Sequence, residues 1–478
     1  MWHTLRKVGE EMQVTISNNI IIKHPSDEIK KWCETHLKLD NPDYAKKVRM
    51  GFWVGNTPKH LYLYEIQGDK WILPFGTLGD IFPMINDSPI VNDFKTPISI
   101  DYGEEVPLYP YQEEAVKQAY NAKFGILESK AGSGKTQMGI ALIKKFGRRA
   151  LWVTHTADLL RQSKERAERY MDSNLIGTIT EGKVNIGDGV TFATIQTMCR
   201  LDLSQYKNMW DVIVVDECHR VAGTPTAVTQ FSKVLNSLSA RHKYGLSATV
   251  HRADGMIVAT YALLGKVVYA VPDEAIADRV MRVGIKPVFT GIQIHPCCLN
   301  TDGTLNYARL INYLCEDNVR NHLIANSIVV NSDKSCLILS DRLEHLERLM
   351  NALPESMQDK AVMISGKMTT KKGKAEREQA IEDMRTGKKK YLFATYTLCK
   401  EGLDIPRLER LMMCSPQKDY AVITQSIGRI ARTCEGKAEP ICYDFVDDIG
   451  YLVKSYKKRC ATYKKNGCYF VEDSNDGN

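Results

Sequence analysis

The sequence has no uninterrupted apolar stretch near the roughly 18 residues that a bilayer-spanning helix requires. Its first segment, Met1 to Gln13, mixes Arg6, Lys7, Glu10 and Glu11 and has no apolar core of the signal-peptide kind. A soluble, unexported protein that makes no use of a membrane is therefore expected. The 13 cysteines include no Cys-x-x-Cys pair and no Cys/His spacing of a zinc module, and Cys297 and Cys298 are adjacent. Reduced, structural thiols in a reducing compartment are expected. Charge of one sign is also scarce in excess: 64 Lys and Arg stand against 57 Asp and Glu, a net +7, which permits a nucleic-acid partner without indicating one.

What is present is an ordinary globular composition, 44% hydrophobic and 25% charged, over 478 residues, enough for two to four domains. From Gln13 to about Asp101 the pattern reads as a small α+β domain. Val14, Ile16, Ile20, Ile21 and Ile22 suit strands, and Asp27 to Leu39 carries a helical stripe. Phe52, Trp53, Tyr62, Tyr64 and Trp71 lie among Lys46, Lys47, Arg49, Lys59 and Lys70. Such a mixture suits base stacking, but the plainer expectation is that these aromatics form the domain's core. Pro97, Gly103, Pro107 and Pro110 then mark a linker near residues 95–108.

Between Phe124 and Val271, short β-branched runs alternate with helical stretches, and from about Ala325 a second such series follows. Two tandem α/β lobes with mainly parallel sheets are expected. The boundaries are an accessory domain over residues 1–105, a first lobe over 106–272, an unassigned connection over 273–324, a second lobe over 325–452 and a basic tail over 453–478. Lysines at 371, 372, 374 and 388–390 read either as salt-sensitive attraction for polyanions or as a solvated face.

Three constellations carry chemistry. The strand Gly125–Glu128 runs into Ser129, Lys130, Ala131, Gly132, Ser133, Gly134, Lys135 and Thr136 at the head of a helical run. That is the order of a phosphate cradle, with inward-turned amides, a lysine for the outer phosphates and a hydroxyl for magnesium. The apolar run Val212 to Val215 delivers Asp216 and Glu217 at a strand's carboxyl end, the first suited to Mg2+ and the second to polarising the attacking water. Gln425, Arg429 and Arg432 lie on one later segment, with the two arginines sharing a helical face from which they could meet phosphate charge.

In this order the motifs resemble a superfamily-two DExH-box helicase, with Asp216, Glu217, Cys218 and His219 as the box. Pro110, Tyr111 and Gln112 resemble the Q-motif region; Ser247, Ala248 and Thr249 the coupling motif; and Thr395 to Pro406 the later motif with Glu401, Gly402 and Asp404. The resemblance implies RecA-like lobes, ATP and magnesium as cofactors, adenine recognition by Gln112, and nucleotide contacts from the phosphate loop, Gly402 and Asp404. It also implies γ-phosphate sensing by Gln425 and coupling through His219, Ser247 and Thr249. By the same resemblance Thr154, His155, Gln196, Thr197, Ser340 and Thr395 sit where the family touches the nucleic-acid backbone.

Gly245 to Thr249 followed by Arg252, Ala253, Asp254 and Gly255 resembles the group with phage branch-migration helicases and XPB-type repair helicases. This implies a monomeric motor on forked or branched DNA, in a bacterial or viral-host cytoplasm or a eukaryotic nucleus. An RNA helicase, a duplex-DNA translocase that does not unwind, and a nucleotide-gated clamp with little turnover stay open beside it.

Overall fold

The structure, a computed structural model, describes residues 11–85, 87–130, 132–248, 250, 255–276, 280–366, 368, 370–400 and 403–472, without the side chains of residues 371, 399 and 400. Ala131, Thr249, Arg252, Ala253, Asp254, Glu401 and Gly402 lie outside the described residues. The chain divides into two compact units, one drawn from residues 1–130 and 134–272 and the other from residues 131–133 and 273 onward.

The first unit contains the N-terminal domain and the first lobe. In the domain, Gln13–Ile16 and Asn19–Lys23 form a hairpin with Val14, Ile16, Ile20 and Ile22 turned inward. Lys70–Pro74, Glu65–Gln67 and Ile90–Asn92 complete a five-stranded sheet, covered by Ile29 and Cys33 of the helix Asp27–His36. The core does not stop at the linker: Ala222, Val228, Met256, Ala259 and Ala262 of the lobe belong to the same buried cluster. At the junction Gly76 lies so close to the lobe backbone that a Cβ there would sit 2.5 Å from the Tyr261 carbonyl oxygen and 2.7 Å from that of Ala262. Only glycine fits. The linker itself is strapped down, with the Ile100 amide donating to Gly147 and the Tyr102 hydroxyl to Arg148.

The lobe is an eight-stranded sheet whose central strands are Ile176–Thr180, Val190–Thr194, Ala150–Thr154, Val212–Asp216, His242–Ser247 and Gly125–Glu128, in that spatial order and all parallel. Ala150–Thr154, Val190–Thr194 and Val212–Asp216 are buried at every position, as expected for strands covered on both faces.

In the second unit, seven parallel strands run Ala361–Ile364, Tyr391–Thr395, Cys336–Ser340, Arg410–Met413, Ile441–Val446, Gly284–Phe289 and Tyr469–Phe470 across the sheet. Two sequence expectations change here. The stretch 273–324 supplies the strand Gly284–Phe289 and the helices Tyr307–Glu316 and Asn318–Val329. The supposed basic tail is the helix Gly450–Lys465 and the edge strand Tyr469–Phe470. That helix is anchored by Arg459, which is buried and donates through Nε and Nη2 to both Asp444 carboxylate oxygens at 2.8 and 2.9 Å. An equally buried Arg320 grips Asp447 from the helix Asn318–Val329 and also donates to the Cys414 carbonyl.

Candidate nucleotide and nucleic-acid sites

The phosphate loop is built where the strand Gly125–Glu128 ends. Ser129 is buried and its amide donates to the Ser247 carbonyl at 3.0 Å, tying the loop to the neighbouring strand. Gly132 and Gly134 have φ of +89° and +81°, the left-handed backbone that turns amides inward. At Gly134 a side chain would also strike the Gln112 amide nitrogen. The helix Lys135–Phe146 starts immediately after, with Thr136 half-buried in its first turn. Lys135 is buried, and its Nζ donates to the Ser129 and Lys130 carbonyls at 3.2 and 3.4 Å. Gln112, placed by resemblance at adenine, is buried at the start of the helix Pro110–Ala122, and its Oε1 accepts from the Tyr109 amide at 3.0 Å.

Two strands away, Val212–Asp216 delivers Asp216 fully buried. Its carboxylate accepts from the Ser163 hydroxyl at 3.2 Å and the Glu217 amide at 3.0 Å. Burial, and then the adjacent Glu217 charge, push the Asp216 carboxyl up to about 7. Glu217 has φ +49°, a left-handed backbone uncommon outside glycine, which turns the chain sharply after the strand. His219 Nδ1 lies 3.3 Å from Glu217 Oε2 and 3.1 Å from Ser247 Oγ, so the acidic box and the coupling strand share one imidazole nitrogen.

On the second unit, Asp419 caps the helix Tyr420–Ile430 by accepting from the Val422 amide. Gln425 is buried on this helix, while Arg429 and Arg432 are half-buried. Arg429 donates to the Leu403 carbonyl at 3.1 Å. Arg432 forms an ion pair with Asp404, the residue that resemblance places at the nucleotide. Asp404 therefore holds an arginine in place, a role that spacing alone does not reveal.

Residue 105–252 similarity matches the family described as "Type III restriction enzyme, res subunit", and residues 318–434 match "Helicase conserved C-terminal domain". The chain is 25% identical over 472 residues to "Probable helicase D10" of Escherichia phage T5, covering 95% of each. The chain is a superfamily-two helicase. It is also 24% identical over 373 residues to "DNA 3'-5' translocase XPB2" of Sulfurisphaera tokodaii, covering 70% of this chain and 81% of that one. In fold the helicase is similar to S. cerevisiae Dbp5 bound to RNA and ADP BeF3, with a TM-score of 0.52 and 18% identity, covering 84% of this chain and 94% of that one. It is an ATP-dependent enzyme of the helicase/translocase class.

The residues that resemblance places at the nucleic-acid backbone divide into two groups. Gln196, Thr395 and His155 keep some exposed surface, although His155 Nδ1 itself is buried without a hydrogen-bond partner. Burial, with Arg220 nearby, lowers the His155 pKa and favours its neutral form. By contrast Thr154 and Ser340 are fully buried with their hydroxyls engaged inside. Thr154 donates to the Thr156 carbonyl at 3.0 Å, and Ser340 Oγ lies 2.9 Å from His345 Nδ1. Thr197 is nearly buried, and its hydroxyl accepts from Thr194 at 2.9 Å.

Sequence reasoning missed Ser163, Asn321, His345, Arg320 and Lys437. Ser340, His345 and Asn321 form a chain with 2.9 Å links, superficially that of an activated nucleophile, but all three are buried and no substrate reaches them. Burial lowers His345 to about 3, so it stays neutral and structural. Lys437 donates to the carbonyls of Pro406, Ile430 and Arg432, bracing the segment that carries both arginines. No motif spacing marks these groups.

Among the described residues no helix is long and apolar enough to cross a membrane, and no group of three His, Cys, Asp or Glu is placed to hold a metal.

Proposed function

We propose that this helicase is a DNA motor that uses ATP and magnesium to unwind or branch-migrate forked or junction DNA, working as a monomer in recombination, repair or replication. One observation carries the ATPase part: Glu217, His219 and Ser247 form a connected polar cluster at the carboxyl edge of the sheet that also ends in the Lys135 loop. The DNA part is supported by similarity to a relative named as a DNA translocase and to a phage helicase over nearly the whole chain. Those phage and viral relatives support action in the cytoplasm of a bacterium or infected cell.

The donor set suits magnesium: one buried carboxylate, Asp216, and one hydroxyl, Thr136, are hard oxygen ligands of the number this ion takes from protein when phosphates and water supply the rest. Magnesium held there would neutralise phosphate charge. Lys135 would leave the loop carbonyls for the outer phosphates, and Ser129, Lys130, Ala131, Gly132, Ser133 and Gly134 would offer the cradle. Glu217 would polarise the attacking water and take its proton, Gln425 would sense the γ-phosphate or its water, and Gly402 would contribute to nucleotide binding. Arg429 and Arg432 would stabilise charge on the transferred phosphoryl group. His219, Ser247 and Thr249 would pass the state of Glu217 to the strand that ends at Ser247.

Steady-state ATP hydrolysis by wild type, Lys135→Ala and Glu217→Gln, with single-stranded DNA, a fork, a four-way junction, linear duplex and structured RNA, tests the reading. Strongest stimulation by forks or junctions, lost in both variants, is expected. Preference for RNA or for plain duplex overturns the branched-DNA assignment, and unchanged turnover in Glu217→Gln overturns the catalytic one in favour of a clamp.

A further inference from the structure

The strands Lys38–Asp40 and His60–Tyr62 pair with each other in a two-stranded sheet of their own, apart from the domain's main sheet. Between them lie the helix Pro42–Arg49 and the loop of residues 50–59. This arm is ordered by contacts within itself. Asn41 Oδ1 accepts from the Asp43 amide and its Nδ2 donates to Pro58; Lys47 Nζ donates to Thr57 Oγ1 at 2.6 Å; and the Phe52 amide donates to the Lys47 carbonyl.

Yet the helix buries no residue at all. Val48, Met50, Phe52 and Trp53 are exposed, Trp53 to 87%, whereas Trp71, Trp152 and Trp210 are buried. The expectation that the domain's aromatics form its core holds for Trp71 and fails for Phe52, Trp53 and Tyr62. The Trp53 ring rests on Gly55, where a Cβ would lie 3.0 Å from it, so the ring is positioned in advance while most of its surface faces water.

Charge selects the occupant. Lys38, Lys46, Lys47, Arg49 and Lys59 share the arm with only Asp40 and Asp43. Asp40 faces His60 at 3.1 Å, and Asp43 lies in the helix's first turn. An exposed apolar patch marks an interaction surface. One ringed by Lys and Arg fits a polyanion that also presents flat apolar faces, which is the chemistry of unpaired nucleobases on a phosphate backbone. A base-paired duplex hides those faces.

We propose that the Lys38–Tyr62 arm is a second nucleic-acid site, which stacks unpaired bases on Trp53 and Phe52 while Lys46, Lys47, Arg49 and Lys59 hold the flanking phosphates. The site rests on the reading that this motor acts on nucleic acid, and it gives the N-terminal domain a way to tell the single-stranded arm of a fork from duplex.

The full chain is titrated with an oligothymidylate and with a blunt duplex of equal length, reading tryptophan emission and salt dependence. The oligothymidylate is expected to quench emission and the duplex to leave it nearly unchanged. Trp53→Ala abolishes the quench and weakens oligothymidylate binding about tenfold, the size of one lost base stack, and Trp53→Phe restores most of the affinity without the quench. Replacing Lys46, Lys47 and Arg49 together by Ala lowers the salt slope by about two. An exposed side chain leaves the fold unchanged when replaced, which far-UV circular dichroism checks, and ATPase without nucleic acid stays at the wild-type rate in Trp53→Ala. Wild-type affinity and quenching in Trp53→Ala overturn the proposal, as does Trp53-dependent binding to phosphatidylserine vesicles with no response to oligothymidylate. Absence of any nucleic-acid stimulation of the wild-type ATPase is a separate result, which overturns the motor reading instead.

Discussion

Lys243 stands on the strand His242–Ser247 with none of its surface exposed. Its Nζ donates to the Leu235 carbonyl at 2.8 Å and, across to the N-terminal domain, to the Asn18 carbonyl at 3.0 Å, and it sits 5.2 Å from the centre of the Phe75 ring. Burial without a carboxylate partner lowers its pKa from 10.5 to about 7. The unfolded chain therefore binds this proton more tightly than the folded one between those two values, and stability contributed by the site rises with pH across that window and is lowest below it. Working the linkage from the two values gives a gain of about 2 kcal/mol between about pH 7 and about pH 9. Lys243→Met removes the titrating group. It also removes two hydrogen bonds, whose dependence on the charge of Nζ is already contained in the lowered pKa. Urea unfolding followed by tryptophan emission reads the correct unit, because Trp71, Trp152 and Trp210 all lie within it. The gap between variant and wild-type midpoints should change by about 1 M over that pH range. A gap that stays constant with pH would refute the buried-lysine argument.

Arg320→Ala leaves Asp447 buried without its cation, at a cost of about 3–5 kcal/mol, so the midpoint by far-UV circular dichroism should fall by about 1–2 M urea; an unmoved midpoint would sink this reading. Asp404→Asn keeps shape but releases Arg432, and kcat for ATP should drop about tenfold with little change in KM, because one charge-assisted contact no longer fixes the guanidinium. Arg432→Lys should not rescue it, since an ammonium lacks the planar fork, and wild-type turnover in Asp404→Asn would show that the ion pair is idle.

How much of this was legible depended on distance along the chain. The Lys135 loop and the Asp216–Glu217 pair were readable because each is a local string in which an apolar strand runs straight into its functional end. The place of Gly284–Phe289 was not: the run Lys286 to Ile294 is strand-like, but the sheet it joins is set by pairing with Ile441–Val446 far downstream. Arg459 sits among lysines in the sequence, and only the fold turns it inward to Asp444. Trp71 and Leu73 alternate with Lys70 and Ile72 as a half-buried strand should. Phe52 and Trp53 follow a helix and carry no such alternation, so hydrophobicity alone assigned them to the wrong side of the surface. Thr154 and Ser340 show the converse limit. A position at a strand's end was evident, but whether its hydroxyl faces out or in is fixed by Thr156 and His345.

The imidazole between Glu217 and Ser247 has a consequence of its own. Nδ1 carries one hydrogen or none, and the two oxygens beside it want opposite things. With the hydrogen present, it points to the carboxylate and the serine oxygen can at most share it. With the hydrogen absent, the serine hydroxyl must swing round and donate. The direction in which the Ser247 hydroxyl points thus follows the tautomer of this imidazole. The Ser247 carbonyl also holds the Ser129 amide, so the residue whose hydroxyl meets the imidazole is the one whose backbone frames the loop.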